Sequence, residues 1–181
     1  NMFNVGFRKV LAEEKFKMVS DVFSSVSSRY DIMNNLMSLG VQKRWKVNFI
    51  DFINLKDGGR YLDLASGTGD IAMLIKQKAE REGKKVSIVI SDANADMLAI
   101  AKKRFEGEDV TFMHCNAEEL PLSESEFDGV FISFGIRNFT DITKALSGLH
   151  YNLKEGGSVY ALEFFPDVSK LLFFDKIYKA Y

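Results

Sequence analysis

The chain has 181 residues, 46% hydrophobic and 27% charged, which fits one globular domain and excludes disorder as a global description. With 24 Lys and Arg against 25 Asp and Glu the formal charge is -1, so bulk charge gives a polyanion nothing to recognise and nucleic acid is not the expected main partner. The single cysteine, Cys115, excludes an intramolecular disulfide and a multi-cysteine metal site, and no metal centre is expected. The apolar stretches fall well short of the roughly 18 to 20 residues that span a bilayer, and the start shows no signal-peptide pattern. A soluble protein of a reducing compartment, the cytoplasm, is the expectation.

In chain order, residues 1–56 differ from the rest. They carry nine basic and five acidic residues, a local +4 that leaves -5 for the remainder. Phe16, Val19, Phe23, Val26 and Tyr30 recur at helical spacing, as do Val41, Trp45, Phe49 and Phe52, which predicts two amphipathic helices. An Asn- and Ser-rich linker, Asp31 to Gly40, separates them, and no strand-like alternation is read before Arg60. Residues 1–56 are therefore taken as an N-terminal helical cap, packed over the mouth of an α/β domain of residues 57–181.

From Arg60 onward, short apolar runs alternate with helical stretches, the pattern of a parallel sheet wound on both faces. The predicted strands are Tyr61–Leu64, Val86–Ile90, Val110–Met113, Gly129–Ser133 and Ser158–Leu162. Three helices are marked by Ile71, Leu74 and Ile75, by Met97, Leu98, Ala101 and Phe105, and by Ile142, Ala145, Leu146 and Leu149. Another aromatic-rich helical segment begins at Phe164. The fold class is thus α/β, a doubly wound, mostly parallel Rossmann-like sheet with an N-terminal helical extension.

The first strand runs directly into Ala65-Ser-Gly-Thr-Gly-Asp-Ile-Ala72. Gly67, Gly69 and Ala72 satisfy the G-x-G-x-x-A fingerprint of dinucleotide binding, in which loop amides and a helix N-terminus hold a pyrophosphate. Asp63, Ala65, Gly67 and Gly69 equally fit the D-x-A/G-x-G-x-G loop of enzymes that bind S-adenosylmethionine. Two carboxylates, Asp63 and Asp70, flank this loop, with no Lys or Arg between Arg60 and Lys76. Like charges about 4 Å apart repel by roughly 4 kcal/mol at an effective dielectric near 20, so the loop should disfavour an anion and favour a ligand bearing an ammonium and a sulfonium. The plainer alternative is that Asp63 accepts loop amides and Asp70 caps the following helix. Asp92 lies 23 residues after Gly69, near the interval at which an acid chelates ribose hydroxyls. Asn116 and Ala117 follow the third strand, where they can read an adenine edge. Ser133 ends the fourth, leaving small residues where a methyl donor must face its acceptor.

Val5-Gly-Phe-Arg-Lys-Val10, Val22 to Gly40 with its Tyr30-Asp-Ile-Met-Asn34 block, Arg44-Trp-Lys46, Phe134-Gly-Ile-Arg-Asn138, Leu153-Lys-Glu-Gly-Gly157 and Leu162-Glu-Phe164 occur together in this order. In these motifs the chain resembles the ubiquinone and menaquinone biosynthesis C-methyltransferase family, UbiE, among the class I S-adenosylmethionine-dependent methyltransferases. The resemblance implies methyl transfer from S-adenosylmethionine to a ring carbon of a prenylated benzoquinol or naphthoquinol. It also implies cofactor contacts at Thr68, Asp92, Asn116, Ala117 and Ser133, and a chain continuing past Tyr181 into further C-terminal strands. The departures are Ser66 where a second glycine is usual, Glu155 where a proline is usual, and Phe165 in place of serine.

For the chemistry, Arg137 and Asn138 are placed to stabilise a developing phenolate, and Tyr30 with Asp31 to cover the acceptor and assist proton transfer. Packing for Tyr30 and helix capping for Asp31 are the alternatives. Core or surface roles are expected for His114 and His150. Since the acceptor is prenylated, the protein is expected to touch the inner-membrane surface transiently through its basic preface, and a homodimer or a biosynthetic complex is compatible with the sequence. Competing readings are an NAD(P)-dependent oxidoreductase, resting on the glycine fingerprint alone, and an RNA methyltransferase or non-catalytic cofactor-binding subunit, resting on the basic preface.

Overall fold

The computed structural model describes residues 2–5, 8–11, 39–121 and 123–163, with Leu39, Arg137 and the first two segments described by backbone alone. The helical stripe from Phe16 to Tyr30, Asp31, and the segment from Phe164 onward lie outside the described residues.

Five strands form one sheet: β3 (Gly59–Leu64), β4 (Val86–Asp92), β5 (Val110–His114), β6 (Phe127–Ser133) and β7 (Leu153–Leu162), in the order β5-β4-β3-β6-β7. Every pair is parallel. The chain leaves β3 toward one edge through β4 and β5, then returns to the other side of β3 for β6 and β7. The strand order thus reverses between β3 and β6, and a crevice opens beyond their carboxyl ends at that point.

The strands read as continuous apolar runs because both faces are covered. Tyr61, Leu62 and Leu64 in β3 and Val130, Phe131 and Ile132 in β6 are all buried. Phe131 stacks on Tyr160 with ring centroids 5.0 Å apart and meets Tyr61 at 5.9 Å. Gly129 makes room for these rings, since a Cβ there would lie 2.9 Å from the Tyr61 ring.

Among the described residues, four helices cover the sheet: α1 (Leu39–Asp51), α2 (Asp70–Arg81), α3 (Ala95–Arg104) and α4 (Ile142–Asn152). Ile71, Ala72, Ile75 and Ala79 of α2 share a core with Phe49 and Ile50 of α1, Leu98 and Ala101 of α3, and Phe131. Ile142, Leu146 and Leu149 of α4 pack in the opposite core with Leu62, Val130 and Val159. Asn94 caps α3 by accepting the amides of Asp96 and Met97, and Asp141 caps α4 by accepting that of Lys144, which fixes where each helix begins.

Four features differ from expectation. An antiparallel pair of strands, β1 (Met2–Val5) with β2 (Arg8–Leu11), precedes Arg60. Leu39 and Gly40 belong to α1 and not to the linker. The apolar stripe on α1 is also displaced. Phe49, Ile50 and Ile53 are buried, whereas Val41 is 40% and Phe52 76% exposed, because the helix stops at Asp51 and Phe52 no longer follows its period. Strand β7 starts at Leu153, five residues before the expected Ser158, through a register shift opposite Phe127 and Gly129.

Candidate functional site

The connection from β3 to α2 is a tight loop in which Ala65, Gly67 and Gly69 adopt positive φ, at 53°, 57° and 81°. Gly69 is required twice over: its left-handed conformation disfavours a side chain, and a Cβ would sit 2.8 Å from the Phe105 ring. The loop hangs on the end of β4. Ser66 N–H donates to Ser91 O at 3.0 Å and Gly67 N–H to Asp92 Oδ2 at 2.7 Å.

Asp63 lies beneath this loop and not among the residues that line the cleft. It is 1% exposed, and its Oδ2 accepts the Ala72 amide at 3.0 Å while Oδ1 has no partner. Burial pushes its carboxyl from 3.8 up to about 7, against the lowering effects of the Ala72 bond and the Lys46 charge. Its demonstrated contact is therefore the support it gives to the first turn of α2.

Asp70 does not cap α2. Gly69 occupies the capping position without a side-chain bond, and Asp70 stands in the first turn, where a carboxylate is favoured by the helix dipole. Lys46 Nζ of α1 meets its Oδ2 at 2.9 Å and Arg104 Nη1 of α3 its Oδ1 at 2.5 Å. Burial raises this carboxyl, but the bonds from Arg104 and Lys46 outweigh it and hold it below the usual carboxylate range. The picture of a loop flanked by two uncompensated carboxylates is thus corrected. One is buried under the loop and the other is paired twice, by cations 24 residues earlier and 34 residues later in sequence.

A cleft of about 480 Å³ opens above the switch point. Of the expected contacts, Gly67, Thr68, Asp92, Asn116, Ala117, Ser133 and Asn138 line it together; Asp63 and Gly69 do not. Its walls also include Gln42 and Lys46 of α1, Asn94, Met97, Cys115 and Phe139, none of which was expected there. Met97 was read as part of the buried face of α3, yet it is 41% exposed and faces the cleft. Asp92 accepts Gly67 N–H through Oδ2 and Asn94 N–H through Oδ1, each at 2.7 Å, which leaves lone pairs on both oxygens. Asn116 Oδ1 accepts the Glu118 amide at 3.0 Å, so its amide nitrogen is the group left to reach outward. Cys115 Sγ sits 3.0 Å from Ser91 Oγ, and burial pushes its thiol up, away from thiolate character. His114 Nε2 lies 2.9 Å from Ala93 O at the surface, and His150 is exposed on α4.

Beyond β6 the chain passes through Phe134 (φ 53°) and Gly135 into a short 3-10 turn, Ile136–Asn138. Gly135 lets this segment close on the glycine loop, since a Cβ there would lie 2.7 Å from Ala65 Cβ. Two bonds fix the turn to the end of β7: Phe134 N–H to Leu162 O at 2.8 Å and Ile136 N–H to buried Glu163 Oε1 at 2.9 Å. Asn138 thereby enters the cleft, with the backbone of Arg137 beside it. Tyr30 lies outside the described residues. No cluster of His, Cys, Asp and Glu suited to a metal occurs among the described residues, and no helix among them is long and apolar enough to cross a membrane.

The residues present fit a nucleoside ligand with hydroxyls. The Ser133 Oγ is buried without a partner, an arrangement costly enough to suggest that a ligand group satisfies it. Asp92 offers a carboxylate to a ribose, and Met97 and Phe139 offer apolar surface to a base.

The comparisons with known proteins agree with this geometry. A ubiquinone/menaquinone biosynthesis C-methyltransferase UbiE of Xylella fastidiosa is 48% identical over 163 residues, covering 88% of this chain and 63% of the relative; the chain thus spans somewhat less than two thirds of that relative's length. Among solved structures, the YcgJ protein from Bacillus subtilis shares the fold at a TM-score of 0.59 and 22% identity, over 67% of this chain and 51% of its own. A phosphoethanolamine N-methyltransferase 2 of Haemonchus contortus, solved in complex with S-adenosyl-L-methionine, superposes at a TM-score of 0.57 with 29% identity, over 65% of this chain and 27% of its own. The ubiE/COQ5 methyltransferase family profile matches residues 8–181, and the chain belongs to that family.

Proposed function

We propose that the chain binds S-adenosylmethionine in this cleft and takes part in methylating a ring carbon of a prenylated demethyl-benzoquinol or demethyl-menaquinol. The observation that carries the reading is the convergence of Gly67, Thr68, Asp92, Asn116, Ala117 and Ser133 on one cleft at the strand-order reversal, in a chain of this family. Asp92 would accept the ribose hydroxyls, Asn116 and Ala117 would read the adenine edge, and Ser133 Oγ would find the partner it lacks. Thr68 would hold the amino-acid end, with Asp63 and Gly69 setting the loop's shape. When bound, the cofactor supplies an electrophilic methyl group.

The chain's own residues then act on the acceptor. A ring carbon attacks readily only when the ring is electron-rich, so the turn bearing Arg137 and Asn138 would favour the phenolate by charge and hydrogen bond. Tyr30, with Asp31, would cover the acceptor from the preface, and a water oriented at the turn would remove the ring proton. Closing the cleft and aligning the reactants to about 3 to 3.5 Å supplies much of the rate. The basic preface, residues 1–56, would cap the cleft and approach the membrane surface where prenylated acceptors lie.

The test is methyl transfer. Purified protein, S-adenosylmethionine with a labelled methyl group, and vesicles carrying each demethylated quinol should yield label on the ring carbon of at least one. Cofactor binding with no label in either quinol would reject the acceptor while leaving the cofactor site standing.

A further inference from the structure

We infer that Lys46 is the counter-charge for the carboxylate at the amino-acid end of the bound ligand, so that α1 forms one wall of the cofactor site; this rests on the reading above. Lys46, Asp70 and Arg104 make a triad of two cations on one carboxylate, with contacts of 2.9 and 2.5 Å. Its net charge is +1. Arg104, whose Nη1 also donates to Thr68 O at 3.3 Å, satisfies Asp70 from the far side and is not part of the cleft wall. Lys46 is part of it, with Gln42 one helical turn earlier on the same face of α1. The surplus positive charge therefore faces the cleft beside Ser66, Gly67 and Thr68, the loop proposed to receive the ligand's amino-acid end. Asp92, the other carboxylate on the cleft wall, is held on β4 by the amides of Gly67 and Asn94. Such a cleft offers a cation to a carboxylate and a carboxylate to ribose hydroxyls.

A plain structural role, in which Lys46 only pins α1 to α2, makes a different prediction. The experiment titrates wild type, Lys46→Met, Lys46→Arg and Asp70→Asn with S-adenosylhomocysteine and with 5′-methylthioadenosine, which keeps the nucleoside and thioether but lacks the amino-acid end. Lys46→Met should weaken S-adenosylhomocysteine by about tenfold, the loss of one charge-assisted hydrogen bond, and leave 5′-methylthioadenosine unchanged. Lys46→Arg should restore most of the loss, and Asp70→Asn, which releases Lys46, should bind S-adenosylhomocysteine at least as well as wild type. Equal weakening of both ligands by Lys46→Met, or no weakening of either, overturns the inference, as does an Asp70→Asn variant that mimics Lys46→Met. Failure of wild type to bind S-adenosylhomocysteine would instead reject the underlying cofactor reading.

Discussion

Asp63→Asn should reverse its effect on stability between acid and neutral pH. In the folded chain burial raises the Asp63 carboxyl from 3.8 to about 7, so between these values the folded state binds a proton that the unfolded state has released. Stability from this group is therefore greatest below about pH 3.8, declines as pH rises toward 7, and stays at its lower level above that. A shift of this size corresponds to about 4 kcal/mol at 1.36 kcal/mol per unit, an upper bound for so buried a group. The asparagine has no such slope. Its oxygen can accept the Ala72 amide as Asp63 does now, while its NH2 falls where Oδ1 has no partner, costing about 1–3 kcal/mol. The variant should thus be less stable than wild type near pH 4 and more stable near pH 8. Urea denaturation of both proteins from pH 4 to 8 measures the difference directly. A gap that stays constant over that range would refute the buried, desolvated carboxylate, and a gap that changes in the opposite direction would mean that Asp63 is held by a cation.

Ser133→Ala removes a buried hydroxyl without a partner, so the free protein should melt at the same temperature or slightly higher while S-adenosylhomocysteine affinity falls by about 0.5–1.5 kcal/mol; unchanged affinity would remove Ser133 from the cofactor site. Gly69→Ala meets both the left-handed conformation and the Phe105 ring, and should lose about 1–3 kcal/mol in denaturant titration. Asn138→Ala should lower turnover with cofactor affinity intact, and a parallel loss of both in a calorimeter and a transfer assay would contradict a role confined to the acceptor. Phe131→Ala, which empties the centre of the aromatic stack, should cost about 3–5 kcal/mol in the same denaturation experiment.

The sheet was legible in sequence because its strands are covered on both faces. Runs such as Ile88 to Ile90 and Val130 to Ile132 announce themselves as unbroken apolar stretches. The start of β7 was not, since Lys154-Glu-Gly-Gly157 has the composition of a turn and forms the irregular stretch between the pairs Leu153–Phe127 and Ser158–Gly129. The strand pair Met2–Val5 and Arg8–Leu11 was missed because two four-residue strands carry too few residues to establish a period. For the site, Asp92, Asn116, Ala117 and Ser133 could be assigned to one cleft because each ends or follows a strand in a sheet whose carboxyl ends form that cleft, whereas Thr68 was named through the family resemblance. Lys46 and Arg104 could not. Their approach to Asp70 is made by packing of α1 and α3 against α2, which a charge count along the loop does not register. That contact turned an apparently acidic loop into a balanced one, and it moved the case for the ligand from loop charge to Asp92, Ser133 and family membership.

The most direct measurement of the central claim is calorimetric titration of the protein with S-adenosylhomocysteine, alongside Asp92→Ala and a parallel titration with NADH. One S-adenosylhomocysteine per chain, binding lost or sharply weakened in Asp92→Ala, and no saturable NADH binding is the result expected. A folded wild-type protein that gives no heat with S-adenosylhomocysteine, or that binds NADH saturably in its place, would contradict it.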